Sequence, residues 1–134
     1  GELPSIRIRH DDADPKAAWD GYHQAINGVL DARPVDQAEP PRFDLSGIHM
    51  GQMLLTDLAI SPQAFERTPG LIASSGIDHL LVHLYLKGGY AGLCDGRDVR
   101  VRAGDIGFHD LTRPVATRTG DSRFITLVVP VQSG

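Results

Sequence analysis

The sequence predicts a mainly β domain, a small barrel or two-sheet sandwich with one helix laid against it. Three observations carry this expectation. From about residue 43 onward, short β-branched or apolar runs are punctuated by Gly, Pro and Asp, as strands joined by tight turns require. The runs follow one another too closely for crossover helices, which excludes a parallel βαβ arrangement. Ahead of them, one stretch repeats apolar side chains at spacings of three and four, the period of an amphipathic helix.

That helix begins in "DADPKAAWDGYHQAINGVLD". Asp14 is placed to cap the first free N–H groups, and Pro15 suits the first helical position, where no N–H is needed. Ala18, Trp19, Tyr22, Ala25, Ile26, Val29 and Leu30 form one apolar stripe opposite Lys16, Asp20, Gln24 and Asn27, so the helix should cover a sheet. The stretch that follows, "DARPVDQAEPPRF", has Pro and charge without period and reads as an exposed connection. Residues 1–13 and 31–42 are both expected to be flexible.

Nine strands are expected, at Phe43–Leu45, Gly51–Ile60, Phe65–Thr68, His79–Leu86, Tyr90–Cys94, Arg97–Ala103, Ile106–His109, Val115–Thr119 and Arg123–Val129. The best-defined local structure is the hairpin "YAGLCDGRDVRVRA", because Asp-Gly is a strong two-residue type I′ turn. That turn sets Cys94 opposite Arg97, Gly92 opposite Val99 and Tyr90 opposite Val101. The valine face should be the buried one, with Tyr90 and Cys94 on it and Gly92 leaving a gap that could open a pocket. On "HLLVHLYLK" the even positions Leu80, Val82, Leu84 and Leu86 form an unbroken apolar face, expected to be core. The odd positions, His79, Leu81, His83, Tyr85 and Lys87, are mixed: either solvated, or the source of the polar groups that orient a ligand in a mostly apolar cavity.

Composition narrows the function. At 134 residues the chain fits one domain with a single core. Lys and Arg number 13 against 17 Asp and Glu, a formal charge of −4, which gives this segment no electrostatic reason to seek nucleic acid phosphates. The one cysteine, Cys94, cannot form an internal disulfide, and no long apolar run marks a signal peptide or membrane span. A reducing, cytoplasmic setting with no membrane partner is expected. The opening Gly1 in place of Met points to a tag remnant or an excised fragment, and "VVPVQSG" ends directly after an apolar strand.

The run "HLLVHLYLKGGYAGLCDGRDVRVRAGDIGFHDLTRP" and the final "FITLVVP" resemble the N-terminal cupin-like sensing domain of AraC-family transcription regulators, in the AraC-binding-like subgroup. The matching features are an apolar strand ending in Gly88-Gly89, the Gly96 hairpin, "AGDIGFHDLTRP" and the closing "LVVP". The helix and "GQMLLTDLAI" lie where that subgroup has its own, so the resemblance covers nearly the whole chain. It implies a cupin-like jelly-roll barrel with an N-terminal helix packed on it, residues 1–134 forming a single effector-sensing and dimerisation domain. It further implies a small-molecule effector in the barrel, a homodimer, no enzymatic activity, and DNA contact only through a C-terminal helix-turn-helix domain that these residues do not contain.

Metal-dependent cupins, the alternative, carry a second motif of Gly, five residues, Pro, any residue, Gly, two residues, His, three residues, Asn. Aligned on Gly96 and Gly104, this chain has Arg102 at the Pro position, Gly107 at the His position and Leu111 at the Asn position. His109 follows two residues later, on the same strand face but about 7 Å along. The first motif needs His-x-His and then Glu, whereas His79 and His83 stand four apart, roughly 13 Å along a strand. No metal and no cofactor are therefore expected, and His109 is expected to lack partners at ligand distance. A stand-alone cupin enzyme, an isomerase or dioxygenase with an atypical metal site, remains the alternative; a protein-interaction module with a filled barrel is the third.

No catalytic group assembles. "ASSG" has no nucleophile elbow, and Gly88-Gly89 leads into a strand rather than a phosphate-cradling helix. The ligand-binding candidates are His83, Tyr85, Tyr90, Cys94, His109 and Arg118, the last as an anion partner alongside Arg123. Asp105 is assigned to the "AGD" turn, where its side chain should accept backbone N–H groups. His10 and His23 read as surface or hydrogen-bonded residues.

Overall fold

The computed structural model describes residues 4–130. Residues 1–3, part of the stretch expected to be flexible, and the final 131–134 lie outside the described residues. In chain order the elements are β1 (Ser5–Arg9), α1 (Pro15–Ile26), β2 (Asp31–Pro34), β3 (Phe43–Met50), β4 (Met53–Ile60), β5 (Gln63–Arg67), α2 (Pro69–Ser75), β6 (Leu80–Lys87), β7 (Gly89–Cys94), β8 (Arg97–Arg102), β9 (Ile106–Asp110), β10 (Val115–Thr119) and β11 (Ser122–Val129). They form two antiparallel sheets, β1-β3-β4-β11-β6-β9 and β2-β5-β10-β7-β8, face to face in a jelly roll.

The helix starts as its sequence requires. Asp14 Oδ1 accepts from the Ala17 N–H at 3.0 Å, with Pro15 in the first turn, a cap worth about 1 kcal/mol. Ala18 and Tyr22 are buried, and Tyr22 stacks on Phe43 with ring centres 4.5 Å apart. The helix stops at Ile26, but Val29 and Leu30 both donate backbone N–H groups to its Ile26 carbonyl. The apolar stripe therefore continues past the helix in a tight turn.

The hairpin register is the expected one, with Cys94 opposite Arg97, Gly92 opposite Val99 and Tyr90 opposite Val101. Asp95 and Gly96 have φ of 51° and 76°, both positive as a type I′ turn demands. At the next corner Asp105 Oδ2 accepts from the Arg102 N–H at 2.9 Å, the turn role assigned to it.

Several expectations are corrected. The segments read as flexible supply two strands: β1 pairs with β3, and β2 pairs with β5. Helix α2 falls in residues 69–78, to which the sequence pattern assigns no element, yet Thr68 Oγ1 accepts from the Leu71 N–H at 3.1 Å and Gly76 closes it in the left-handed conformation. Gly92 leaves no gap: a Cβ there would lie 2.7 Å from Thr117 Cα, so the missing side chain is what lets β10 pack against β7. The largest correction concerns β6. Leu81, His83 and Tyr85 are buried, while Leu80, Val82 and Leu84 are only half-buried and Leu86 is exposed. The mixed face is the interior and the apolar face is the outside.

Candidate functional site

Between the sheets, beneath the end of α1, lies a cavity of about 200 Å³. Ile26, Val29 and Leu30 close it from the helix side, Leu54, Leu58 and Phe124 line it from one sheet, and Phe65 and Thr117 from the other. Among the described residues, Lys, Arg, Asp and Glu are all absent from its lining. Its polar groups come from Thr56 and Thr126, whose hydroxyls bond to each other, from Thr117 and His49, and from a cluster of four aromatic side chains.

That cluster is His83 and Tyr85 of β6, Tyr90 of β7 and His109 of β9. The β6–β9 register sets His83 opposite Gly107 and Leu81 opposite His109. This offset puts the two imidazoles side by side, ring centres 4.9 Å apart. His83 Nε2 shares a 2.7 Å hydrogen bond with the Tyr90 hydroxyl, and His109 Nδ1 lies 3.3 Å from Cys94 Sγ. Tyr85 packs edge-on to His83 and stacks on Phe124. Gly107 makes the arrangement possible: a Cβ at that position would overlap the His83 ring and come within 3.0 Å of the Tyr90 hydroxyl. The residue that stands where metal cupins have a ligand histidine is glycine, and His83 fills the space beside it.

Burial sets the charge state. It lowers the pKa of His83 to about 4, with His109 nearby as the second cause, and lowers that of His109 to about 4. The Tyr85 and Tyr90 phenols and the Cys94 thiol are pushed above their ordinary values, chiefly by burial. Near neutral pH every group of the cluster is uncharged. One nitrogen of each imidazole is engaged; among the described residues the second nitrogens and the Tyr85 hydroxyl have no protein partner and open onto the cavity.

Of the six candidates, the structure brings His83, Tyr85, Tyr90 and His109 together on the cavity wall. Cys94 stands behind His109, off the wall. Arg118 is exposed on the outer face of its sheet, because β10 turns Thr117 and Thr119 inward and Arg118 therefore outward. Arg123 also faces out, bonded to Asp57 at 3.0 Å and 3.3 Å. His109 has two neighbours, the His83 ring with centres 4.9 Å apart and Cys94 Sγ at 3.3 Å from Nδ1. Among the described residues no three His, Cys, Asp or Glu side chains are grouped to hold an ion.

Arg67 went unnoticed in the sequence and is the most buried charged group. Fully enclosed, it donates to the Leu111 carbonyl at 2.7 Å, to those of Gly28 and Val29 at 2.8 Å each, to Ile77 at 2.9 Å and to Ser75 Oγ at 3.1 Å. These partners belong to three segments: the turn after α1, the end of α2, and the β9–β10 connection. Arg67 thus fixes the turn that carries Val29 and Leu30 over the cavity. Only Arg has a rigid fork with five N–H donors for such a set.

No protein-family model and no curated protein sequence matches the chain. Among solved structures, the crystal structure of the AraC-like transcriptional activator CuxR is similar with a TM-score of 0.83 and 25% identity over 95% of this chain. This chain covers 47% of that protein, about half its length. The ethanolamine utilization protein Q of Salmonella typhimurium, at TM-score 0.52 and 14% identity, is covered over 100% of its length by 98% of this chain. The EutQ protein of Clostridium difficile, at TM-score 0.50 and 14% identity, shares 72% of this chain and 75% of its own. These two likenesses concern the fold alone. The jelly roll agrees with part of an AraC-like transcriptional activator along almost the entire chain, and in this the chain is similar to the AraC-binding-like cupin domains.

Proposed function

We propose that this domain senses a small-molecule effector in its barrel and dimerises, as the regulatory half of a cytoplasmic AraC-type transcription regulator whose DNA contacts lie in a separate helix-turn-helix part. The observation that carries the reading is the cavity: about 200 Å³ of space walled by apolar side chains, with imidazole and phenol groups left unpaired toward it. Buried polar groups are normally satisfied within the protein, so groups held open to an internal space favour a ligand. The likeness to an AraC-like activator supports assigning that ligand a regulatory role.

The dimer reading has its own support. Phe108 and Ile106 of β9 are each 62% exposed, and they continue the outward rows of Val82 and Leu84 on β6 and of Leu127 and Ile125 on β11. A contiguous apolar face of this kind is the usual mark of an interface, and two copies would bury it isologously. In a screen of small compounds by thermal shift, an effector at one hundred times its dissociation constant should stabilise the domain by about 2.7 kcal/mol. A screen in which no compound raises the melting temperature would count against sensing. A stoichiometric transition metal retained on purification and lost in His109→Ala would instead favour a cupin enzyme.

A further inference from the structure

Resting on the sensing reading, we infer that the effector is an uncharged molecule about the size of one substituted ring, with an apolar body and a single hydroxyl or carbonyl group bound by His83, His109 and Tyr85. Three features lead to this class.

The first is volume. An apolar cavity of about 150 Å³ holds a benzene molecule; this one, at about 200 Å³, takes a ring with a short substituent and excludes a nucleotide or disaccharide. The second is charge. With Lys, Arg, Asp and Glu absent from the wall among the described residues, a carboxylate, phosphate or ammonium would leave water without a counter-charge, which an apolar interior strongly disfavours. The nearby arginines offer no relief. Arg118 and Arg123 point outward, and Arg67 spends its donors on backbone carbonyls and Ser75.

The third is the distribution of polar atoms. The His83, His109 and Tyr85 rings are neighbours on the cavity wall, with ring centres 4.9 Å apart for the two imidazoles and 5.5 Å apart for His83 and Tyr85. Toward the helix the wall is Ile26, Val29 and Leu30, and the Thr56 and Thr126 hydroxyls are tied to each other by one hydrogen bond. A polyhydroxylated sugar would leave most of its hydroxyls unpaired against this surface. A ligand with one polar end leaves none. A neutral imidazole has one donor and one acceptor nitrogen, so the cluster is able to meet either a hydroxyl or a carbonyl.

The test uses four probes matched in size: benzyl alcohol, toluene, benzoate and benzylamine, each titrated near neutral pH into the 134-residue protein and followed by amide chemical shifts. Benzyl alcohol is expected to bind, moving the resonances of Leu81 and Thr117, with an affinity at least about tenfold above that of either charged probe. Tyr85→Phe should weaken benzyl alcohol severalfold and leave toluene unchanged. Benzoate or benzylamine binding in the cavity as tightly as the alcohol would overturn the assigned class while leaving the sensing reading intact. Toluene binding as tightly as the alcohol would show that the polar cluster recognises nothing, and would overturn it as well. Failure of all four to bind would overturn both the class and the sensing cavity.

Discussion

Two polar groupings are buried in this domain, and they are finished differently. Around Arg67, five acceptors on three chain segments take up the guanidinium donors, and the grouping borders the core with nothing left to offer. Around His83 and His109, one nitrogen of each ring is paired and the other faces a cavity. A saturated network fixes chain segments relative to one another, whereas an unsaturated one beside open space has hydrogen-bonding capacity to spare, as the proposed effector would require. The same distinction separates residues whose loss should unfold the domain from those whose loss should blunt recognition.

The sharpest break of this comparison is Arg67→Ala. Removing the guanidinium strands buried carbonyls in three segments, and the domain should lose about 3–5 kcal/mol in urea unfolding. Arg67→Lys should restore only part of this, because an ammonium has three donors and no planar fork.

Acid should act on the other grouping. With folded pKa values of about 4 for His83 and His109, against about 6.5 for an unfolded histidine, the unfolded chain binds more protons between those limits. Their contribution is therefore complete above about pH 6.5, falls as the pH drops through that window, and levels off below about 4. The loss should be of order 3 kcal/mol for one ring at the limit, and His83→Gln, followed by unfolding across the same range, should flatten the curve relative to the parent. A curve unchanged by that substitution would contradict the burial argument.

Gly107→Ala should cost about 1–3 kcal/mol, the range for overpacking, because the new Cβ meets the His83 ring. It should also lower ligand affinity. The smallest stability effect belongs to the outer face: Phe108→Ser with Ile106→Ser should change folding stability by about 0.5 kcal/mol or less per site, since both side chains are largely exposed. The same pair should convert a dimer to a monomer in analytical ultracentrifugation.

Local features were legible in the residues. Asp14-Pro15 marks the helix start, Asp95-Gly96 fixes the hairpin register, and the expected strands β4 to β11 lie near their observed bounds, whereas β3, expected at Phe43–Leu45, runs on to Met50. The signs of α2, Thr68-Pro69 at its start and Gly76 after its end, are present in the sequence, but a helix of two turns carries no apolar period long enough to mark it. What local pattern cannot supply is which face of a strand meets the core. On β6 the uniformly apolar face lies outside, and Leu81, His83 and Tyr85 of the mixed face line the cavity. The pairing of His83 with His109 depends on the β6–β9 register, which is set across an intervening hairpin. Arg67 escaped notice because a single Arg in "FERTPG" has the look of a solvated side chain until three distant segments close over it.

The most direct test of the account is imidazole nitrogen NMR, recorded with Arg67 side-chain resonances in the same sample, with and without benzyl alcohol. The account predicts that both His83 and His109 stay neutral down to about pH 5, that their unpaired nitrogens shift on ligand addition, and that the Arg67 guanidinium does not move. Histidines that titrate near pH 6.5, or a ligand that perturbs Arg67 and leaves both imidazoles unchanged, would contradict it.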